Sequence, residues 1–180
     1  MFNEVELVKK IVLGDMRAFT TLVKQYEKLV FTVVKRLVPN GSDVADVCQE
    51  VFIEVFKSLK KFKFESSLAT WIGRIAYYTA ITHIRKYYRQ GPVDNVDTID
   101  LAITREEVEQ SITDKDQSAF IQLVISKMPP NYKAVLTLYH LENFSYQEIA
   151  EIMDVPEGTV KGNLFRARKL LKDLLAQHLK

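Results

Sequence analysis

Cysteine is nearly absent from this 180-residue chain. Cys48 stands alone, so no internal disulfide can form, and no C-x-x-C or Cys/His pair offers a zinc site. Proline and glycine are sparse too, at five and six residues, which excludes collagen-like and linker-dominated chains. Long apolar runs are missing. The longest stretches free of Asp, Glu, Lys and Arg, residues 75–84 and 117–126, are ten residues each. A bilayer span needs about 20 apolar residues, so no membrane span is expected. The opening "MFNEVELVKK" carries acidic residues and no apolar core, so it does not read as a secretory leader. The expected compartment is therefore a reducing cytoplasm. His83, His140 and His178 stand outside any ligand spacing, so neither a metal nor another cofactor is expected.

What is present suits a folded chain: 47% of residues are apolar and 27% charged, enough for a real core. The net charge is only +2, but its distribution is uneven. Residues 1–92 carry 15 Lys and Arg against 9 Asp and Glu; residues 93–120 carry 2 against 8; residues 121–180 carry 8 against 6. Two basic blocks joined by an acidic one suit two nucleic-acid-facing modules on a tether. Ordinary variation of surface charge would look the same at this level.

Helical periodicity dominates. Phe19, Leu22, Val23, Tyr26, Val30, Val33 and Leu37 follow the spacing of a one-faced helix. Pro39 and Gly41 break it, and Ser42 or Asp43 is placed to cap the next helix. There Val44, Val47, Val51, Val55 and Leu59 form a core stripe, widened by Cys48, Phe52, Phe56 and Phe62. A further helix is expected from about Leu68 to Arg89, ended by Gly91 and Pro92. Residues 93–116 are acidic and poorly patterned, as a tether would be. Helical period resumes at Ser118, is interrupted by Pro129-Pro130, and continues to the end. No strand pattern is long enough to build a sheet. The expected fold is all-α: two small helical domains, 1–92 and 118–180, joined by a flexible acidic linker over 93–117.

Three constellations carry chemistry. The sharpest is "FSYQEIAEIMDVPEGTVKGNLFRARKLLKDLL", where Ser145 and Glu148 form a capping box and Asp154-Val155-Pro156 turns the chain into a second helix. Ala150 at the crossing and Val160 ten residues later meet the needs of a helix-turn-helix over about 145–164. The outer face of the second helix offers Lys161, Phe165, Arg166 and Lys169, flanked by Arg168, types suited to phosphate and base-edge contact. A plain helical hairpin with a solvated basic face is the simpler alternative.

The second constellation is "TWIGRIAYYTAITHIRKYYR". Arg74, Tyr78, Ile81, Arg85 and Tyr88 fall on one stripe, flanked by Tyr77, Lys86, Tyr87 and Arg89. Rings interleaved with cations suit single-stranded DNA, although tyrosines also fill helix interfaces; Trp71 reads as core. The third is acidic: Asp46, Glu50 and Glu54, with Gln49 beside them, stand opposite the Val/Phe stripe. Without a Glu-x-x-His partner they suit a protein-docking or solvated face better than a metal site.

Together these segments resemble the extracytoplasmic-function sigma factors, the minimal bacterial initiation factors built from conserved regions 2 and 4. "GDMRAFTTLVKQYEKLVF" is similar to their opening helix and "DVADVCQEVFIEVFKSLKKF" to the core-polymerase-binding helix. "FESSLATWIGRIAYYTAITHIRK" is similar to the −10 loop and helix, and "MPPNYKAVLTLYHLENFSYQEIAEIMDVPEGTVKGNLFRARKLL" to the −35 reader. The resemblance implies a non-enzymatic factor that directs RNA polymerase core to promoters, touching the β′ clamp and β flap, with an anti-sigma factor as a further candidate partner. It implies docking through Asp46, Gln49, Glu50, Phe52, Glu54 and Phe56. A base flipped from the −10 strand would be captured by Lys61, Phe64, Ser66 and Ser67 of the loop and Arg74, Tyr77, Tyr78, Thr82, Arg85 and Lys86 of the helix. The −35 duplex would be read by Ser145, Thr159, Lys161, Gly162, Phe165, Arg166 and Lys169. The acidic tether would pass near the RNA exit path.

Two departures from the family pattern concern specificity. Tyr78 and Thr82 stand where Asn and Asp are common, and Gly162-Asn163 stands in place of Ser-Arg; both remove polar groups from positions expected to face DNA. The runner-up function is a helix-turn-helix regulator that acts without polymerase docking; a DNA-acting enzyme such as a recombinase lacks a nucleophile or metal cluster.

Overall fold

The computed structural model describes residues 3–89 and 117–178, and all regular structure among them is helical. The helices are α1 (Glu4–Val12), α2 (Met16–Leu37), α3 (Val44–Ser58), α4 (Leu68–Arg89), α5 (Gln117–Lys127), α6 (Pro130–His140), α7 (Tyr146–Met153) and α8 (Glu157–His178). Short 3-10 turns, Gly41–Asp43 and Leu59–Lys61, precede and follow α3. The acidic tether and the stop at Gly91-Pro92 lie outside the described residues.

The expected stripes reach the core. Leu22, Tyr26, Val30, Val33 and Leu37 of α2 are buried, as are Val44, Val47, Val51 and Val55 of α3 and Leu59 beyond it. Phe19 and Val23, at the edge of the α2 stripe, stay half-buried. Helix α1 was not expected from the periodicity. Asn3 caps it by accepting the Glu6 N–H, and it buries only Val8 and Ile11 against the rest, too few apolar positions to stand out in a nine-residue helix. The Tyr26 hydroxyl donates to Glu4 Oε1 at 2.6 Å, tying α1 to α2; burial first, then that carboxylate, pushes the phenol's pKa up.

The cap of α3 differs from expectation. Asp43 occupies the N-cap position but makes no capping hydrogen bond. Its carboxylate accepts from Asn40 Nδ2 at 3.1 Å and Ser42 Oγ at 3.0 Å, and meets His83 Nε2 of α4 at 3.2 Å. Asn40 does the local capping instead, accepting the Ser42 N–H. A carboxylate with a tertiary partner within reach need not serve its own helix.

Helix α2 is the hub, packed on α1, α3, α4 and α6, while α4 touches α2, α3 and α7. The two halves of the chain therefore meet: α4 lies against α7 and α2 against α6, and Arg36 of α2 donates to Gln122 of α5. One contiguous core runs through both halves. Helix α6 lies between α2 and α8 and is buried on nearly every side, from Lys133 through Leu138. Burial pushes the Lys133 ammonium's pKa down.

Candidate nucleic-acid interface

On α3, the Val stripe turns inward and leaves Asp46, Gln49, Glu50 and Glu54 exposed. Glu54 accepts from Ser58 Oγ at 2.6 Å and borders a shallow cleft with Trp71, Arg74 and Tyr78, so it leans toward α4. Phe52 and Phe56 line a separate open groove of about 510 Å³ between α2 and α3, with Met16, Phe19, Val23, Cys48, Gln49, Ile53 and Lys57. The rings of Phe19 and Phe56 meet edge to face at 4.9 Å. Met16 is 58% exposed, Ile53 51% and Phe56 43%, an apolar patch beside carboxylates that suits a protein partner. Met16 and Ile53 were missed. Ile53, an isoleucine on the polar side of α3 between Glu50 and Glu54, was the available signal. Burial pushes the Cys48 thiol's pKa up, which makes it a poor nucleophile.

The loop before α4 is built on rings. Phe62 packs on Trp71 at 5.0 Å and on Phe64 at 4.6 Å, so Trp71 is a half-buried platform rather than full core. Phe64 is 44% exposed at φ 59°, a left-handed conformation that costs an L-residue about 1–2 kcal/mol. Strain of that kind concentrates at functional loops. Lys61 is exposed and Ser66 half-buried. Ser67 caps α4, its Oγ accepting the Thr70 N–H at 3.0 Å, so that oxygen already has a structural duty.

The stripe expected on α4 divides. Ile81 is 7% exposed and belongs to the core, because α4 is wrapped by three helices rather than one. Thr82, Arg85 and Lys86 are exposed and unobstructed. Tyr77 is half-buried, its ring 5.3 Å from that of Tyr78. Arg74 and Tyr78 are engaged: the Arg74 guanidinium lies 5.3 Å from the Tyr78 ring, meets Asp154 at 3.5 Å and donates to the Glu151 carbonyl. The Tyr78 hydroxyl donates to the Met153 carbonyl at 3.2 Å.

The helix-turn-helix is present as read. The capping box closes both ways, and Asp154 ends α7 in the left-handed region at φ 56°. Burial acts to raise the Glu148 pKa, but hydrogen bonds from the Ser145 N–H, Ser145 Oγ and Thr70 outweigh it and hold the carboxyl low. Val160, Leu164 and Ala167 bury one face of α8. Thr159, Lys161, Arg166 and Lys169 are exposed on the other, with Phe165 69% exposed between them. Gly162 is half-buried, and a Cβ there would meet nothing nearer than Arg166 Nη1 at 4.0 Å.

Asn163 corrects the expectation. It is 7% exposed and faces the protein core, so its substitution does not remove a DNA-facing group. One residue past Gly162 turns about 100° around the helix, from the groove side to the core side.

Beside this face lies a cluster not anticipated. Tyr139 and Tyr146 stack at 5.1 Å, Lys161 sits 5.4 Å over Tyr146, and Arg168 sits 5.2 Å over Tyr139. Arg168 Nε also donates to His140 Nε2 at 3.2 Å, which requires the neutral imidazole. Burial, and then the Arg168 charge, pushes the His140 pKa down. Tyr146, directly after the cap residue, was the sequence cue that passed unused.

Among the described residues, no three His, Cys, Asp or Glu gather as a metal site, and no helix is long and apolar enough to cross a membrane. Family models for sigma-70 region 2 and sigma-70 region 4 match residues 22–90 and 121–171. The chain is 35% identical over 173 residues to the ECF RNA polymerase sigma-E factor of Escherichia coli K12, covering 92% of this chain and 90% of that one. It is 34% identical over 175 residues to that of Haemophilus influenzae, covering 93% and 92%. Among solved structures, the sigma factor RpoE of Bartonella quintana, in complex with the anti-sigma factor NepR, superposes with a TM-score of 0.69 at 18% identity, over 88% of this chain and 96% of that one. The matched regions take in α3, α4 and the helix-turn-helix, and the chain belongs to the extracytoplasmic-function sigma factors, transcription initiation factors rather than enzymes.

Proposed function

We propose that this sigma factor divides its work between a core-binding and −10-reading domain, 1–92, and a −35-reading domain, 118–180, joined by a linker over 93–117. The matched regions, 22–90 and 121–171, fall inside those bounds and support them. Docking on RNA polymerase core uses Asp46, Gln49, Glu50 and Glu54 as a charged rim around the apolar seat formed by Phe52, Phe56, Met16 and Ile53. Apolar contact supplies affinity and the carboxylates orient the encounter. The −10 strand is taken by Lys61, Phe64, Ser66 and Ser67 and by Arg74, Tyr77, Tyr78, Thr82, Arg85 and Lys86. Flipping a base costs a few kcal/mol, which ring stacking and cationic contacts offset. The −35 duplex is read by Lys161, Gly162, Phe165 and Arg166, with Ser145, Thr159 and Lys169 on the phosphates. The site of action is the cytoplasm, where polymerase and chromosome meet. An anti-sigma factor is a further partner, as NepR is of its structural neighbour.

One observation carries the reading: a single chain presents both an exposed apolar and acidic face on α3 and a helix-turn-helix with Phe165 69% exposed. A regulator acting alone needs only the second. Transcription in vitro with sigma-free core polymerase on a promoter pool tests it, and start sites that appear only with this protein are expected. Glu50→Lys should weaken core capture while shifting stability by less than about 0.5 kcal/mol, since the residue is exposed. Core capture equal to wild type would remove the docking role.

A further inference from the structure

The row of side chains that α8 offers to a major groove begins one turn earlier than the −35 set given above. Glu157, Lys161, Phe165 and Lys169 recur every four residues, so they share one face of the helix, and all four are exposed. In a helix-turn-helix the N-terminal residues of the second helix contact base edges, and Glu157 is the first residue of α8. A carboxylate is out of character on a surface that approaches phosphates, because it repels them. It favours the start of the helix through the dipole, but any position of the first turn would serve that purpose.

Its surroundings give it another use. Glu157 Oε1 pairs with Lys161 Nζ at 2.6 Å, and the same ammonium lies 5.4 Å from the centre of the Tyr146 ring. Tyr146, at the start of α7, stacks on Tyr139 of α6 with the two planes 13° apart. The rings thus steady Lys161 from across the turn, and Lys161 steadies Glu157. The pair is half-exposed, 55% at Lys161 and 47% at Glu157, and such a pair adds little to stability. What it does is fix a donor beside an acceptor. Lys161 commits one of its N–H donors to the carboxylate, and the pairing through Oε1 leaves Glu157 Oε2 to accept from elsewhere.

We propose that Glu157 is a specificity-determining residue of the −35 contact: with Lys161 it reads one G·C base pair, the ammonium donating to guanine O6 or N7 and the carboxylate accepting from the cytosine N4 amino group. This rests on the −35 role given above to α8. In the major groove guanine presents acceptors and cytosine a donor, side by side across the pair. An A·T pair presents the adenine N6 donor to the ammonium and the thymine O4 acceptor to the carboxylate, so both contacts turn repulsive. A C·G pair holds the right groups in the opposite order. Discrimination therefore comes from rejecting the wrong pair as much as from holding the right one.

The test uses holoenzyme assembled from core polymerase and the full chain. It transcribes promoters randomised across the −35 element, and sequencing of the transcribed templates gives the base preference at each position. Wild type is expected to favour G·C over A·T at one position by about fivefold or more, and Glu157→Ala to lose most of that preference there and nowhere else. Lys161→Ala should act at the same position, which two independent contacts would not do. Glu157→Gln, whose amide both donates and accepts, should admit A·T at that position. Glu157 is exposed, so thermal melts of both Glu157 variants should stay near wild type. Base preferences of Glu157→Ala identical to wild type overturn the proposal. A uniform gain in promoter affinity, with a salt slope steeper by about one, overturns it too, because the carboxylate would then only screen Lys161 from phosphate. The underlying reading fails in a different way: wild type would then transcribe promoters with scrambled −35 elements as well as intact ones.

Discussion

Helices α4 and α8 are equally long, 22 residues each, and both carry candidate DNA contacts, yet they meet solvent differently. On α8, which packs on α5, α6 and α7 through its buried face, Phe165, Arg166 and Lys169 stand exposed on the opposite face, while Lys161 beside them pairs with Glu157 at 2.6 Å and lies over Tyr146. On α4, three helices share the surface, and Arg74 and Tyr78 spend their polar atoms on the end of α7. A −35 reader can be preformed, since duplex DNA offers its groove without distortion. A −10 reader faces a strand that must first be unpaired, and here Arg74 and Tyr78 of its candidate helix are turned to α7 while Thr82, Arg85 and Lys86 stay exposed. The same residue types, arginine and aromatic, serve as an open surface in one helix and as an internal cap in the other.

The largest expected effect comes from Ile152→Ala. This fully buried side chain joins the helix-turn-helix core to α4, so its loss should cost about 2–5 kcal/mol in chemical denaturation. A cost below that range would mean that α4 and α7 are not held together in solution, and the contrast between the helices would disappear.

Next comes Arg166→Ala. An exposed arginine that reads a base edge is worth about 1–3 kcal/mol of discrimination, so −35-dependent transcription should fall by about tenfold or more with stability unchanged. Comparison of promoters with intact and scrambled −35 elements reads it. The matching change on α4, Arg74→Ala, should loosen the contact with α7 and, on the −10 role proposed for it, also lose promoter opening.

Gly162→Ser sharpens the contrast within α8. Space around Gly162 is open in the free chain, so serine should fit and raise stability by roughly 0.5 kcal/mol through helix propensity. Selection of −35 variants should show shifted base preferences, since the added Cβ would stand between the helix and the groove. Identical preferences would remove Gly162 from the contact surface.

The smallest effect is one of pH. His140 is held below its ordinary pKa in the fold, so the unfolded chain takes up the proton first. The stability it contributes is complete above about pH 6.5 and declines as pH falls from there through the folded value. Thermal melts at a series of pH values should show this decline, and His140→Gln should flatten it. Acid should also free Arg168 from His140, visible as a change in the imidazole resonances.

Much of the fold was legible because it is local. The stripe Val44, Val47, Val51 and Val55 turns inward in the structure, and Ser145 with Glu148 forms its capping box, since both depend on neighbours within a turn or two. The candidate site was legible by residue type but not by state. Asp43 stands in capping position and bonds His83 instead; Ile81 falls on the expected DNA stripe and is buried; Asn163 falls beside Gly162 and is buried too. For Asp43 and Ile81 the deciding neighbours lie on another helix.

By itself the sequence determined the all-helical class, the helix-turn-helix and the residue types on each working face, because side-chain period and capping act over three or four residues. Only the tertiary structure decided which of those faces are open. The contact of Gly73 with Ile152 joins positions far apart in the chain, and no periodicity records such a pair. It forms because a missing Cβ lets α7 settle on α4 and because the orphan carbonyls of α7 find Arg74 and Tyr78 within reach.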